Sequence, residues 1–131
     1  MEAAVNRSAG MLGLPGDFTP PSRFVRAVAY STWVLPSQTG EEAILQAFHI
    51  LNNFDIPRGS TRGEAKDARG NIVADYTLWT SAIDLKAKRF YFRTYDDSQI
   101  RSVDLMKMPI YAKGITHISM KGAEAIKPLS P

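Results

Sequence analysis

Two consecutive prolines, Pro20 and Pro21, constrain this chain more than any other feature of it. Each fixes φ at about −65° and lacks a backbone N–H, so the pair cannot sit inside a helix or in a central strand. It fits the first helical turn, where those N–H groups have no intrahelical partner. Thr19 precedes the pair as a candidate N-cap. The stretch "DFTPPSRFVRAVAYSTW" therefore predicts a helix, with Phe24, Val25, Val28 and Ala29 at helical spacing as its apolar face. Arg23, Arg26, Ala27 and Tyr30 fall on another face. Arg23 is the anomaly, because a cation in a first turn meets the positive end of the helix macrodipole at a cost of about 0.3–1 kcal/mol. From spacing alone, its side chain is expected to snorkel into water.

A second helix is predicted from "TGEEAILQAFHILNNF", where Thr39 and Glu42 have the spacing of a capping box. Its apolar stripe is Ala43, Ile44, Ala47, Phe48 and Leu51, with His49 at the border. The polar, glycine-rich run from Pro57 to Asp75 reads as a long mobile loop. Beyond it, "DYTLWTSAIDL" and "RFYFRTYDD" read as strands joined through Lys86-Ala87-Lys88, with "QIRSVDL" as a third. Phe90 and Phe92 are expected on one sheet face, with Arg89, Tyr91 and Arg93 on the other. "ITHISM" is a candidate strand and "AIKPLSP" a frayed tail. The sum is an α+β domain with two helices packed on an antiparallel sheet, in which residues 1–9 and 110–131 are peripheral.

Several chemistries are excluded by composition. The chain has no cysteine, so disulfides, thiolate metal sites and a cysteine nucleophile are absent from these 131 residues. Its two histidines, His49 and His117, are too far apart for a local ligand pair, and neither a metal nor a cofactor is expected. Sixteen basic residues against thirteen acidic ones are scattered along the chain, and no apolar run approaches the ~20 residues that span a bilayer, so neither nucleic-acid nor membrane partners are expected. No phosphate loop, dinucleotide fingerprint or serine nucleophile elbow occurs, and nothing supports Ser22 or Ser31 as a nucleophile. "MEAAVNRSAG" lacks the apolar core of a signal peptide.

The segments "GLPGDFTPPSRFVRA", "EEAILQAFHILNNFDIPRG" and "DYTLWTSAIDLKAKRFYFRTYDDSQIRSVDL" run in colinear order within about Gly10 to Leu105. They resemble the C-terminal part of the choloylglycine hydrolase family, the bile salt hydrolases and penicillin V acylases. That resemblance implies an αββα N-terminal-nucleophile sandwich, a small-molecule amide substrate, and a bacterial cytoplasmic or periplasmic location. It also implies a mature N-terminal cysteine that attacks the amide carbonyl. Its own α-amine, with a pKa of about 7.7–8.0, serves as base. An Arg and an Asp soon after that cysteine, and mid-chain asparagines, complete the family's set. The arginine of its "SRF" element corresponds to Arg23, which becomes the candidate catalytic residue. Asn52 and Asn53 lie downstream of "SRF" and match none of these asparagines.

Read together, these features predict the C-terminal portion of a linear amide hydrolase, from a truncated reading frame or a longer protein. Such a portion is expected to be inactive alone and prone to self-association through exposed apolar surface. The alternative is a non-enzymatic module binding an anionic ligand or a protein through Arg89, Tyr91, Arg93 and the basic loop.

Overall fold

The computed structural model describes residues 11–109 and 111–129, so the expectation for residues 1–9 lies outside the described residues. The chain divides into two compact units, Met1–Leu35 and Pro36–Pro131.

The first unit is a turn-rich lead-in followed by α1, Pro20–Trp33. Leu14 N–H closes a turn onto Met11 O at 3.1 Å, and Gly13, at φ 89°, occupies its left-handed position. The prolines stand at the first two helical positions. Val34, in extended conformation, ends the helix by donating its N–H to Tyr30 O at 3.1 Å, and Pro36 prevents its continuation.

The buried side of α1 is not the one its apolar pattern predicts. Ser22, Arg26 and Ala29 are buried, whereas Phe24 is 69% exposed, Val25 43% and Val28 48%. Only Ala29 of the expected face is therefore inside. Positions 22, 26 and 29 form a stripe at i, i+4 and i+7, and two of them take their partners from the 15–17 segment. Arg26 Nη1 donates to Pro15 O at 2.6 Å and to Asp17 O at 2.9 Å. Hydrogen bonds to the Asp17 carboxylate and to two backbone carbonyls, rather than apolar contacts, occupy this buried side.

The second unit begins with α2, Gly40–Leu51, which has the predicted capping box: Thr39 Oγ1 accepts from Glu42 N at 3.1 Å, and Glu42 Oε2 accepts from Thr39 N at 3.2 Å. Ile44 and Phe48 are buried. A short 3₁₀ turn, Asn52–Phe54, follows.

The segment expected to be a long loop contains a hairpin instead. β1, Thr61–Lys66, pairs antiparallel with β2, Ile72–Asp75. The turn between them is built on Asp67: one carboxylate oxygen accepts the N–H groups of Arg69 (2.8 Å) and Asn71 (2.9 Å), and the other accepts Asn71 Nδ2 (3.0 Å). These bonds, the Asn71 side chain first, hold the Asp67 carboxyl below its ordinary pKa. Gly70, at φ 82°, completes the reversal.

The main sheet is an antiparallel meander, β3 (Trp79–Asp84), β4 (Arg89–Thr94) and β5 (Asp97–Asp104), in that order. Its first connection carries Lys88 at φ 54°. Cross-strand register sets Ser81, Phe92 and Arg101 in one row and Ile83, Phe90 and Val103 in the next, all on one face. Thr80 and Arg93, then Ala82, Tyr91 and Ser102, then Asp84, Arg89 and Asp104 occupy the other face, as expected for the two phenylalanines and the arginines. α2 lies over β3 on that second face, where a Cβ on Gly40 would lie 2.8 Å from Asp84 Oδ2 and displace that carboxylate.

The C-terminal stretch is coil; "ITHISM" forms no strand. Alternating apolar residues need a neighbouring strand, and here none of the described residues supplies one. The tail is nevertheless anchored. Glu124 N–H donates to Asp96 O at 2.7 Å, and its carboxylate accepts Ser98 N–H and Oγ at 2.7 Å each. Arg101 Nη1 reaches Lys121 O at 3.3 Å.

Candidate functional site

Asp17 organises the start of α1. Its Oδ1 accepts the Thr19 N–H at 2.8 Å and the Thr19 hydroxyl, while its Oδ2 accepts Ser22 Oγ at 2.6 Å. The Ser22 bond first, then those of Thr19, hold its carboxyl far below the usual carboxylate range. Thr19 occupies the N-cap position but makes no side-chain cap bond, and its hydroxyl donates to Asp17. The negative charge of Asp17 also lies where the helix macrodipole favours an anion.

Arg23 follows directly. Its N–H donates to Thr19 O at 3.0 Å, so the backbone beneath it belongs to the first full helical bond after the prolines. Its side chain is half-buried and makes no ion pair or side-chain hydrogen bond among the described residues. The two arginines of "SRFVR" therefore divide their work. Arg26 is 5% exposed and ties the 15–17 segment to the helix, while Arg23 stands on the frame so fixed with its donors uncommitted. Five donors in a planar fork suit a carboxylate, a carbonyl or a thiolate. The structural role of Arg26 has no sequence signature, because its acceptors are carbonyls that every residue carries.

The arginines of the sheet are engaged elsewhere. Arg93 Nη2 lies 2.8 Å from Asp55 Oδ2, with its guanidinium carbon 5.6 Å from the Phe48 ring centre. Arg89 lies 3.6 Å from Asp104, and Tyr91 first, then Asp104, raises its pKa and keeps it charged. The strand face considered for anion binding is thus internally neutralised and partly covered by α2. A cleft of about 790 Å³ beside α2 is lined by Ile44, Leu45, Asp84, Arg89, Tyr91 and Ile100 among others. The basic residue Arg58 stacks its guanidinium 4.4 Å from the Tyr76 ring centre and 5.4 Å from that of Tyr95. Arg58 thus lies against the two residues that flank the hairpin's end and the β4–β5 turn. Among the described residues no group of three or more His, Cys, Asp or Glu could hold a metal ion, and no helix is long and apolar enough to cross a membrane.

Comparison with known proteins gives this geometry a family. Residues 2–117 match the model of the linear amide C–N hydrolases, choloylglycine hydrolase family. The chain is 36% identical over 104 residues to the bile salt hydrolase/transferase of Clostridium perfringens, covering 79% of this chain and 30% of that protein. It is 40% identical over 100 residues to that of Lactiplantibacillus plantarum, covering 76% and 29%. A crystal structure of a mutant conjugated bile acid hydrolase from Clostridium perfringens aligns with a TM-score of 0.71 at 30% identity, over 97% of this chain and 37% of that one. The penicillin V acylase of Agrobacterium tumefaciens aligns with a TM-score of 0.58 at 28% identity, over 77% and 30%. The chain thus spans about 30% of the length of the hydrolases it matches in sequence. With two helices, an antiparallel sheet and this match over most of its length, the chain belongs to the choloylglycine hydrolase family of linear amide C–N hydrolases.

Proposed function

We propose that this chain forms the Arg23-bearing part of a hydrolase that cleaves linear amide C–N bonds in small molecules. The observation that carries the reading is the uncommitted guanidinium of Arg23, fixed on a proline-started helix inside the region matched to the family. The sequence has no cysteine, so the nucleophile comes from polypeptide outside these 131 residues and the chain alone is inactive. In the completed site Arg23 holds the thiolate and the polarised amide oxygen in register. A nearby cation favours thiolate over thiol and stabilises charge that develops on oxygen. Penicillin V, conjugated bile salts and acyl-homoserine lactones share the required bond. Without its complement, the chain self-associates through exposed apolar surface such as Phe24, Val25 and Val28.

A chimera tests this directly. The matched region of the Clostridium perfringens bile salt hydrolase is replaced by this chain, and hydrolysis of a glycine-conjugated bile salt and of penicillin V is followed. Turnover by the chimera but not by the chain alone, lost on Arg23→Ala, supports the reading. Turnover by the isolated chain, or a folded chimera indifferent to Arg23→Ala, refutes it.

A further inference from the structure

Two prolines change how α1 is tied to the chain before it. An N-cap side chain ordinarily accepts from the second or third helical amide, and here the second belongs to Pro21, which has no N–H. Side chains make the tie instead. Asp17 Oδ1 accepts the Thr19 N–H at 2.8 Å and the Thr19 hydroxyl, and its Oδ2 accepts the Ser22 hydroxyl at 2.6 Å. Thr19 Oγ1 and Ser22 Oγ lie 3.1 Å apart, so the three side chains close a triangle. Asp17 and Thr19 are exposed at its outer corners, whereas Ser22 is buried.

Arg23 is joined to this triangle twice. Ser22 is its chain neighbour, and Thr19 O accepts its N–H at 3.0 Å. Arg26 makes a different kind of contact, to the Pro15 and Asp17 carbonyls, which holds the lead-in main chain but leaves the Asp17 side chain to the first turn. Counting protons shows what the triangle needs. Each hydroxyl has one proton and gives it to Asp17, so none is left for the contact between Thr19 and Ser22. Asparagine can keep all three contacts. Its oxygen accepts from Thr19 as before, its amide donates to Ser22, and Ser22 turns its proton to Thr19 Oγ1. Alanine keeps none.

We infer that Asp17 is a positioning residue for the amide-cleaving reaction: its bonds to Thr19 and Ser22 set the direction in which the Arg23 guanidinium leaves the first turn. The carboxylate is committed to these donors, so its effect on the rate passes through Arg23, and shape rather than charge delivers it. The inference rests on the reading of Arg23 as catalytic in the completed hydrolase.

A double-mutant cycle in the chimera tests it, with Tm recorded beside kcat and KM. Asp17→Ala, Ser22→Ala and Asp17→Asn are each made with Arg23 and with Arg23→Ala. With Arg23 present, the two alanine variants lower kcat by about tenfold or more, with a smaller change in KM. In the Arg23→Ala background they leave the residual rate unchanged. Asp17→Asn keeps the parental kcat. Should Asp17→Ala not fold, Ser22→Ala, which removes one bond, carries the same test. Equal rate losses in both backgrounds, in step with Tm, would mark a merely structural role and overturn the inference. So would alanine variants of undiminished rate, or an Asp17→Asn variant as slow as they are. Amide exchange on the isolated chain separates the two readings. Asp17→Ala speeds exchange at the Arg23 amide by about tenfold or more while the Val28 amide stays protected, and Asp17→Asn does not. Unchanged exchange at Arg23 overturns the positioning role. Exchange that responds, beside a folded chimera indifferent to Arg23→Ala, keeps the turn contact but defeats the catalytic reading and the inference with it.

Discussion

Ser22 Oγ donates to Asp17 Oδ2 at 2.6 Å, one residue before Arg23. The bond closes the lead-in onto the first helical turn, and with the Arg26 bonds to Pro15 and Asp17 carbonyls it makes that turn a fixed platform. The stiffness of "GDFTPPSRF" thus fixes the place from which one arginine emerges.

The Asp17 carboxyl gives this platform a pH dependence. Its folded pKa lies below its ordinary value of 3.8, so the carboxylate bonds stabilise the fold above that pH. The contribution fades as pH falls through the depressed folded value. Helix content followed by circular dichroism from pH 5 to pH 1.5 should show an acid loss that Asp17→Ala removes, with the variant less stable at pH 7. Identical acid profiles would show that Asp17 contributes nothing.

The capping box of α2 predicts a second effect. Thr39→Ala leaves the Glu42 N–H without its acceptor and should cost about 1 kcal/mol in urea unfolding. Glu42→Ala should cost less than that again in a Thr39→Ala background, since the two bonds share one turn. Strict additivity would argue against a reciprocal box.

Gly122 seats the tail. A Cβ there would lie 2.0 Å from Asp97 Oδ2, and Asp97 is itself buried, bonded to Gln99 N–H and 3.6 Å from Arg101. Gly122→Ala should free residues 121–124, seen as faster amide exchange at Glu124 and new proteolysis after Lys121. Unchanged exchange would mean the tail is not held at Gly122.

Much of this architecture was readable before the fold was known, for specific reasons. α2 announces itself because Thr39, Glu42, Ile44 and Phe48 combine a cap with a 3.6-residue stripe. The meander shows through aromatic and β-branched residues such as Tyr91 and Phe92. The β1–β2 hairpin hides because both faces of its strands are exposed, so residues such as Gly63, Glu64 and Lys66 give no alternation; only Asp67, Gly70 and Asn71 mark the turn. α1 differs from its apolar pattern because Ser22 and Arg26 are buried by polar bonds to Asp17 and to the backbone, while Phe24, Val25 and Val28 stay exposed within these residues. Arg23 stands out in the sequence as a first-turn cation and takes a catalytic role only through resemblance; its uncommitted side chain is visible only in the geometry.

The contrast between Arg23 and Arg26 tests the account most directly. Arg26→Ala strands two carbonyls and should destabilise the chain by about 1–3 kcal/mol. Arg23→Ala removes a cation from the first turn and should leave folding unharmed. The decisive measurement is amide hydrolysis by the chimera with Arg23→Ala, alongside its Tm. An unchanged Tm with a fall in kcat/KM of about 10²-fold or more is the predicted result. An unchanged rate, or a loss of rate only in step with unfolding, would contradict Arg23 as the residue this platform exists to hold.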